Sequence, residues 1–220
     1  MCAMGVLVIA EGQPTEVHVS GVVGRGRETP VTSNARWHIG SCTKSMTATL
    51  AAVLHQQGKI DWEQTVGDVF ADEEFSVHAD YQDATLAELL SHQSGVPNDL
   101  ISSPLWARMW ADATGTARDQ RKQIVATYLP RPPLHKPGTK FAYSNVGYVI
   151  AGRVLEKQTG EAYEDLLVEH VFQPLDIRKA GFGPPPGDED PRGQRFGFPL
   201  TPTTPAETPP ALSTAARGRI

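Results

Sequence analysis

The sequence predicts an α/β protein in which an incomplete sheet stands beside an all-helical lobe. Three observations lead there. Two alternating apolar runs open the chain and have no further strand to pair with. An uncharged apolar helix follows them. Helical periodicity then dominates as far as about residue 180. The expected organisation is 1–58 for the hairpin and first helix, 59–180 for the helical lobe, and 181–220 for a Pro/Gly-rich segment.

Composition fits this. The 220 residues are 40% hydrophobic and 20% charged, the make-up of an ordinary globular chain. The net charge of −5 and the lack of basic blocks argue against nucleic acid as a partner. No stretch approaches the ~20 apolar residues of a membrane span. Cys2 and Cys42 have no metal-ligand spacing, and Cys42 reads as a small buried hydrophobe. No metal or organic cofactor is expected.

Residues 5–11 (GVLVIAE) and 15–24 (TEVHVSGVVG) read as strands, with Gly12 and Pro14 marking the turn. Such a hairpin has open edges and needs further strands. The helix opened by Ser41 carries Met46, Leu50, Val53 and Leu54 as one stripe. Its other side holds small residues and Lys44. Between Ser45 and Leu54 there is no charge, which predicts burial on most sides, and Gly58 is placed to end the helix.

Thr85 and Glu88 fit a capping box ahead of Leu86, Leu89 and Leu90. Residues 99–129 read as helical with weak patterning, and Trp106, Trp110, Ile124 and Tyr128 are the candidate core. A proline-rich connection (130–140) leads to two helices. One spans about 145–158, with Val146, Val149, Ile150 and Val154 apolar and Gly160 as stop. The other spans about 161–172, with Tyr163, Leu166, Leu167 and Val171.

The chemistry centres on Ser41 and Lys44. A serine hydroxyl needs a neighbouring base to act as a nucleophile, and positions i and i+3 of a helix are neighbours. Burial lowers a lysine pKa, so a neutral Lys44 could take the serine proton. The helix start could also offer the Ser41 N–H to an oxyanion. S-x-x-K alone is weak, with about one chance match expected in such a chain. The plain alternative is a lysine that snorkels to water. Tyr143-Ser144-Asn145 precedes an apolar helix. Taken alone, Asn145 reads as an N-cap and Tyr143 as a core aromatic. Beside a Ser/Lys pair, a phenol can shuttle a proton and an amide can fix the lysine.

With S-x-x-K at Ser41–Lys44 and Y-x-N at Tyr143–Asn145, the chain resembles the serine β-lactamase-like superfamily. The branch is that of class C β-lactamases, DD-peptidases and family VIII esterases. "ATLAELLSHQSGVPND", "HKPGTKFAYSNVGYVIAGRVLEKQTGEAY" and "VFQPLDIRKAGFG" resemble further family segments, in family order, so that the likeness covers most of 35–183. The resemblance implies a β-lactamase/transpeptidase-like fold and a serine hydrolase that forms an acyl-enzyme. Ser41 would be the nucleophile and Lys44 its partner in proton transfer. Tyr143 would be the general base and Asn145 a contact to Lys44 and substrate. His92 is given a structural role. The substrate would be a small acyl compound: a β-lactam, a D-Ala-D-Ala peptide or an ester.

The family's third motif, K-[TS]-G or H-x-G on a late strand, has no counterpart. Lys179-Ala180-Gly181 and His38-Ile39-Gly40 fall in the wrong segments. With the orphan hairpin, this reads as the front part of a longer protein, and an acylated but non-turning-over sensor or an inactive β-lactamase-like protein is the alternative function. No leader peptide is read, which leans towards a cytoplasmic member, or a periplasmic one if a leader was lost. Oligomeric state is left open.

Overall fold

The computed structural model describes residues 3–24, 27–111 and 115–183. They divide into two compact units, one of residues up to Gly40 with those from Lys179 on, the other Ser41–Arg178. The expectation for 181–220 lies almost wholly outside the described residues, as does Cys2.

The first unit is built on a hairpin. Strands β1 (Met4–Val8) and β2 (Glu16–Ser20) pair antiparallel, with Met4 opposite Ser20 and Val8 opposite Glu16. The strands are shorter than the apolar runs that predict them, because the chain turns early: Gly12 takes a φ of 69°, open to glycine without penalty. Val6, Leu7, Val8 and Val17 are exposed. Beyond the strands, an isolated bridge joins Val22 to Pro30, and Lys179 donates to Asn34 at 2.6 Å.

The second unit is helical. Its helices are α1 (Thr43–Gln56), α2 (Val66–Val69), α3 (Leu86–Leu90), α4 (Pro104–Ala111), α5 (Ala117–Tyr128), α6 (Asn145–Thr159) and α7 (Tyr163–Leu167). A π-turn, Val168–Phe172, extends α7. Local signals set most of these limits. Gly58 leaves α1 at a φ of 71° and Gly160 leaves α6 at 80°, each in the left-handed conformation that ends a helix. The Thr85/Glu88 capping box is formed at α3, and Thr116 and Asp119 form a second at α5.

The core of this unit lies around α6, whose Val146, Val149, Ile150 and Val154 are all buried. Helix α6 packs against α1, α2, α3, α5 and α7. Ile124 and Tyr128 of α5 and Trp106 of α4 are buried as expected; the Trp110 side chain lies outside the described residues.

Helix α1 departs from expectation. It buries one face, Thr47, Leu50, Ala51 and Leu54, while Met46 and Val53 are half-buried and Ala52 is exposed. Thr47 and Ala51 form part of the contact face, which lets α1 lie close to its neighbours. Thr47 marks that approach: its hydroxyl meets the buried Tyr163 phenol at 2.7 Å.

Charge is buried here too. Arg121 is 3% exposed and Glu156 not at all. The guanidinium reaches Glu156 Oε1 and Glu164 Oε2, both at 2.7 Å, so α5, α6 and α7 share one ionic junction. Glu156 also accepts the Tyr163 N–H at 3.1 Å, and Arg153 donates to it at 3.4 Å. Near the far end of α6, Lys157 pairs with Asp72 and Glu73.

Candidate active site

Ser41 sits in a 3₁₀ turn, Gly40–Cys42, that winds directly into α1. This puts Ser41 and Lys44 one turn apart, with Lys44 Nζ 3.4 Å from Ser41 Oγ. From the other side comes the segment before α6. The Tyr143 phenol lies 2.8 Å from Ser41 Oγ. Asn145 Oδ1 accepts from Lys44 Nζ at 2.7 Å and from the Tyr143 phenol at 3.2 Å. The four residues singled out in the sequence therefore form one hydrogen-bonded group.

Four expectations need correction, one of them the burial of Cys42, which is exposed. A second concerns Lys44, which is half-buried, and Ser41, which is exposed. Lys44 Nζ lies 4.9 Å from the Tyr143 ring centre and 5.4 Å from that of Tyr148. Two aromatic faces and an amide carbonyl are partners suited to an ammonium. The group is thus built around charge–dipole contact rather than around a deeply desolvated amine. A third concerns the helix cap. Ser144, not Asn145, is the N-cap of α6, its hydroxyl accepting the Gly147 N–H at 3.0 Å. Asn145 is the first helical residue, and its side chain is free to face Lys44. Fourth, Tyr143 is not a core aromatic, being 41% exposed.

The electrostatics follow. Burial acts to raise the Tyr143 phenol pKa, but contact with Lys44 and Ser41 and the Lys44 charge outweigh it. The net pKa lies below the ordinary phenol value. His92 is pushed below the usual imidazole range by burial and then by the Lys44 charge.

The turn after α3 supports the group. His92 Nδ1 accepts the Ser144 N–H at 3.1 Å, and Asn98 Oδ1 accepts the Asn145 N–H at 2.8 Å. The His92 ring lies 4.5 Å from the Tyr143 ring and 5.1 Å from that of Tyr148. Tyr148 in turn donates to the Leu90 carbonyl at 2.7 Å. Sequence reasoning gave His92 only a structural role and did not single out Asn98 or Tyr148. Among the described residues no group of three or more His, Cys, Asp or Glu could hold a metal ion, and no helix is long and apolar enough to cross a membrane.

Such a group can take a proton from an alcohol. Tyr143 lies within hydrogen-bonding reach of the Ser41 hydroxyl, and Lys44 is placed where its charge could stabilise either oxygen.

Comparison with known proteins identifies the family. Residues 3–218 match the family described as Beta-lactamase. "Penicillin-binding protein 4" of Amycolatopsis lactamdurans is 31% identical over 176 residues, which is 79% of this chain and 42% of that protein. The crystal structure of D-amino acid amidase from Ochrobactrum anthropi SV3 with L-phenylalanine superposes with a TM-score of 0.65 at 29% identity. That match covers 80% of this chain and 47% of the amidase. A penicillin binding protein from Bacillus halodurans shares the fold, with a TM-score of 0.66 at 23% identity over 82% of this chain and 53% of that one. The chain thus spans less than half the length of the curated relative and of the amidase.

Proposed function

This chain belongs to the Beta-lactamase family, and from that premise we propose that it is a serine hydrolase working through an acyl-enzyme on Ser41. The 2.8 Å contact between the Ser41 hydroxyl and the Tyr143 phenol, with Lys44 beside both, carries the reading.

Tyr143 in its phenolate form takes the Ser41 proton as Oγ bonds to the substrate carbonyl carbon. The lowered phenol pKa keeps that form accessible. The tetrahedral intermediate collapses, the carbonyl–leaving group bond breaks, and Tyr143 returns the proton to the departing amine or alkoxide. Water then attacks the Ser41 ester, again losing its proton to Tyr143. The acid is released and the serine restored. Lys44 balances the charge that moves between the two oxygens, and Asn145 holds Lys44 and contacts the substrate.

The acyl donor is a small carbonyl compound: a β-lactam, a D-Ala-D-Ala type peptide or an ester. Similarity to a penicillin-binding protein and to a D-amino acid amidase supports amide carbonyls first. A fluorescent penicillin and a fluorophosphonate, followed over time, test the proposal. Labelling that is lost in Ser41→Ala supports it, and release of the penicillin label shows turnover. Label that persists supports the second reading, an acyl-accepting sensor. No label at Ser41 from either probe overturns both.

A further inference from the structure

We infer that His92 is a positioning residue for Tyr143: it holds the chain on both sides of the phenol, and the ring itself, so that the hydroxyl meets Ser41. The inference rests on the acyl-enzyme reading above and adds a residue to it.

Three contacts converge. The His92 carbonyl accepts the Ala142 N–H at 2.8 Å. The His92 Nδ1 accepts the Ser144 N–H at 3.1 Å. Between those two anchors, the imidazole lies against the Tyr143 ring, with centres 4.5 Å apart and planes inclined at 36°. Residues 142, 143 and 144 are thus all fixed by one side chain and its own carbonyl. Phe141 meets the same ring edge-on at 5.6 Å.

The backbone at His92 is itself unusual. Its φ is 60°, in the left-handed region that non-glycine residues seldom enter. That conformation ends α3, with the His92 N–H donating to the Leu89 carbonyl at 3.3 Å and the Gln93 N–H to the Glu88 carbonyl at 2.8 Å, and the turn brings His92 to the segment before α6. A neutral imidazole is required for Nδ1 to accept a backbone N–H, and burial together with the nearby Lys44 charge favours the neutral ring.

A purely structural histidine and a positioning one make different predictions. His92→Phe keeps the ring contact and loses the acceptor. His92→Asn tolerates the left-handed backbone and places a carbonyl oxygen where Nδ1 stood, but loses the ring. Each is compared with the wild-type 220-residue chain, after thermal unfolding has shown that it folds. The first readout is the saturating rate of acylation by fluorescent penicillin. It is expected to fall by about 10²-fold in His92→Phe with little change in half-saturating concentration, as misplacement of a reacting group by an ångström would cause. His92→Asn is expected to recover much of that loss.

The second readout does not depend on acylation. The Tyr143 phenol is titrated by ultraviolet absorbance, isolated by subtracting the Tyr143→Phe variant. In His92→Phe it is expected to titrate at higher pH than in the wild type, because the phenol no longer sits against Lys44. Folded His92→Phe with wild-type titration of Tyr143 overturns the inference, as does wild-type acylation. If wild-type protein takes no label, the acyl-enzyme reading fails, and the phenol titration alone still decides the role of His92.

Discussion

The Ser41 hydroxyl and the Tyr143 phenol stand 2.8 Å apart although 102 residues of chain separate them. They are delivered by opposite means, one at the entry of α1 and the other in the last extended residues before α6. Chemistry at this pair requires both.

Removing either hydroxyl should therefore have distinct effects. Ser41→Ala should abolish covalent labelling by a fluorophosphonate. Tyr143→Phe should leave the nucleophile in place and slow labelling by about 10²–10⁴-fold, the usual contribution of a positioned proton acceptor. Stopped-flow or gel-based labelling rates separate the two.

The labelling rate should rise with pH and level off below pH ~10, the ordinary phenol value. In the proposed mechanism Tyr143 acts when deprotonated, and its pKa is lowered, so the rise belongs on the acid side of that value. In Lys44→Met the Lys44 contact and its charge are gone while burial and the Ser41 contact remain, so the rise should move to higher pH. A rate–pH profile of wild type and variant checks the direction.

Glu156→Gln should destabilise the fold. It removes the charge of the fully buried partner of Arg121, which is 3% exposed, while Glu164 still pairs with the guanidinium. Losing one charge-assisted contact of this kind costs about 1.5–3 kcal/mol. Urea unfolding followed by tryptophan fluorescence measures it, with a lower midpoint and unchanged slope expected.

Asp99 should link stability to acid. Hydrogen bonds from Arg131 and Tyr128 hold its carboxyl below the usual carboxylate range. A depressed folded pKa stabilises the fold above the unfolded value of about 3.9 and loses that contribution as pH falls through the folded pKa. Asp99→Asn should lose stability at neutral pH and unfold with a shallower dependence on acid than the wild type.

Gly95→Ala should cost more than about 1 kcal/mol. Its φ is 72°, and an added Cβ would lie 2.3 Å from the His135 carbonyl oxygen. Thermal unfolding should show a lowered midpoint. Because Gly95 shares the turn that carries His92 and Asn98, slower labelling should accompany it.

Local signals made much of this molecule legible beforehand. The Thr85/Glu88 box, the Gly58 and Gly160 stops and the apolar face of α6 are written within a few residues of where they act. The pairing of Ser41 with Lys44 is likewise local, a matter of helical spacing. Its meeting with Tyr143 and Asn145 was reached through resemblance, since no periodicity links segments so far apart. The half-buried state of Lys44 was missed because a run without charges says nothing about which neighbours cover it. The contacts of His92 were hidden for a similar reason: its hydrogen bonds with Ala142 and Ser144 exist only once two distant segments meet. The Arg121–Glu156–Glu164 junction left no pattern along any single helix.

The Tyr163 phenol bears on how the molecule would choose among acyl donors. It ties α1 to α7 through Thr47, while its own N–H is held by Glu156 of α6. The alcohol and the amide that opens α6 thus belong to one braced frame, set before any ligand arrives. Under the proposed acyl-transfer reading, changing the side chains that border this frame should alter which compounds are accepted while leaving the proton-transfer step alone.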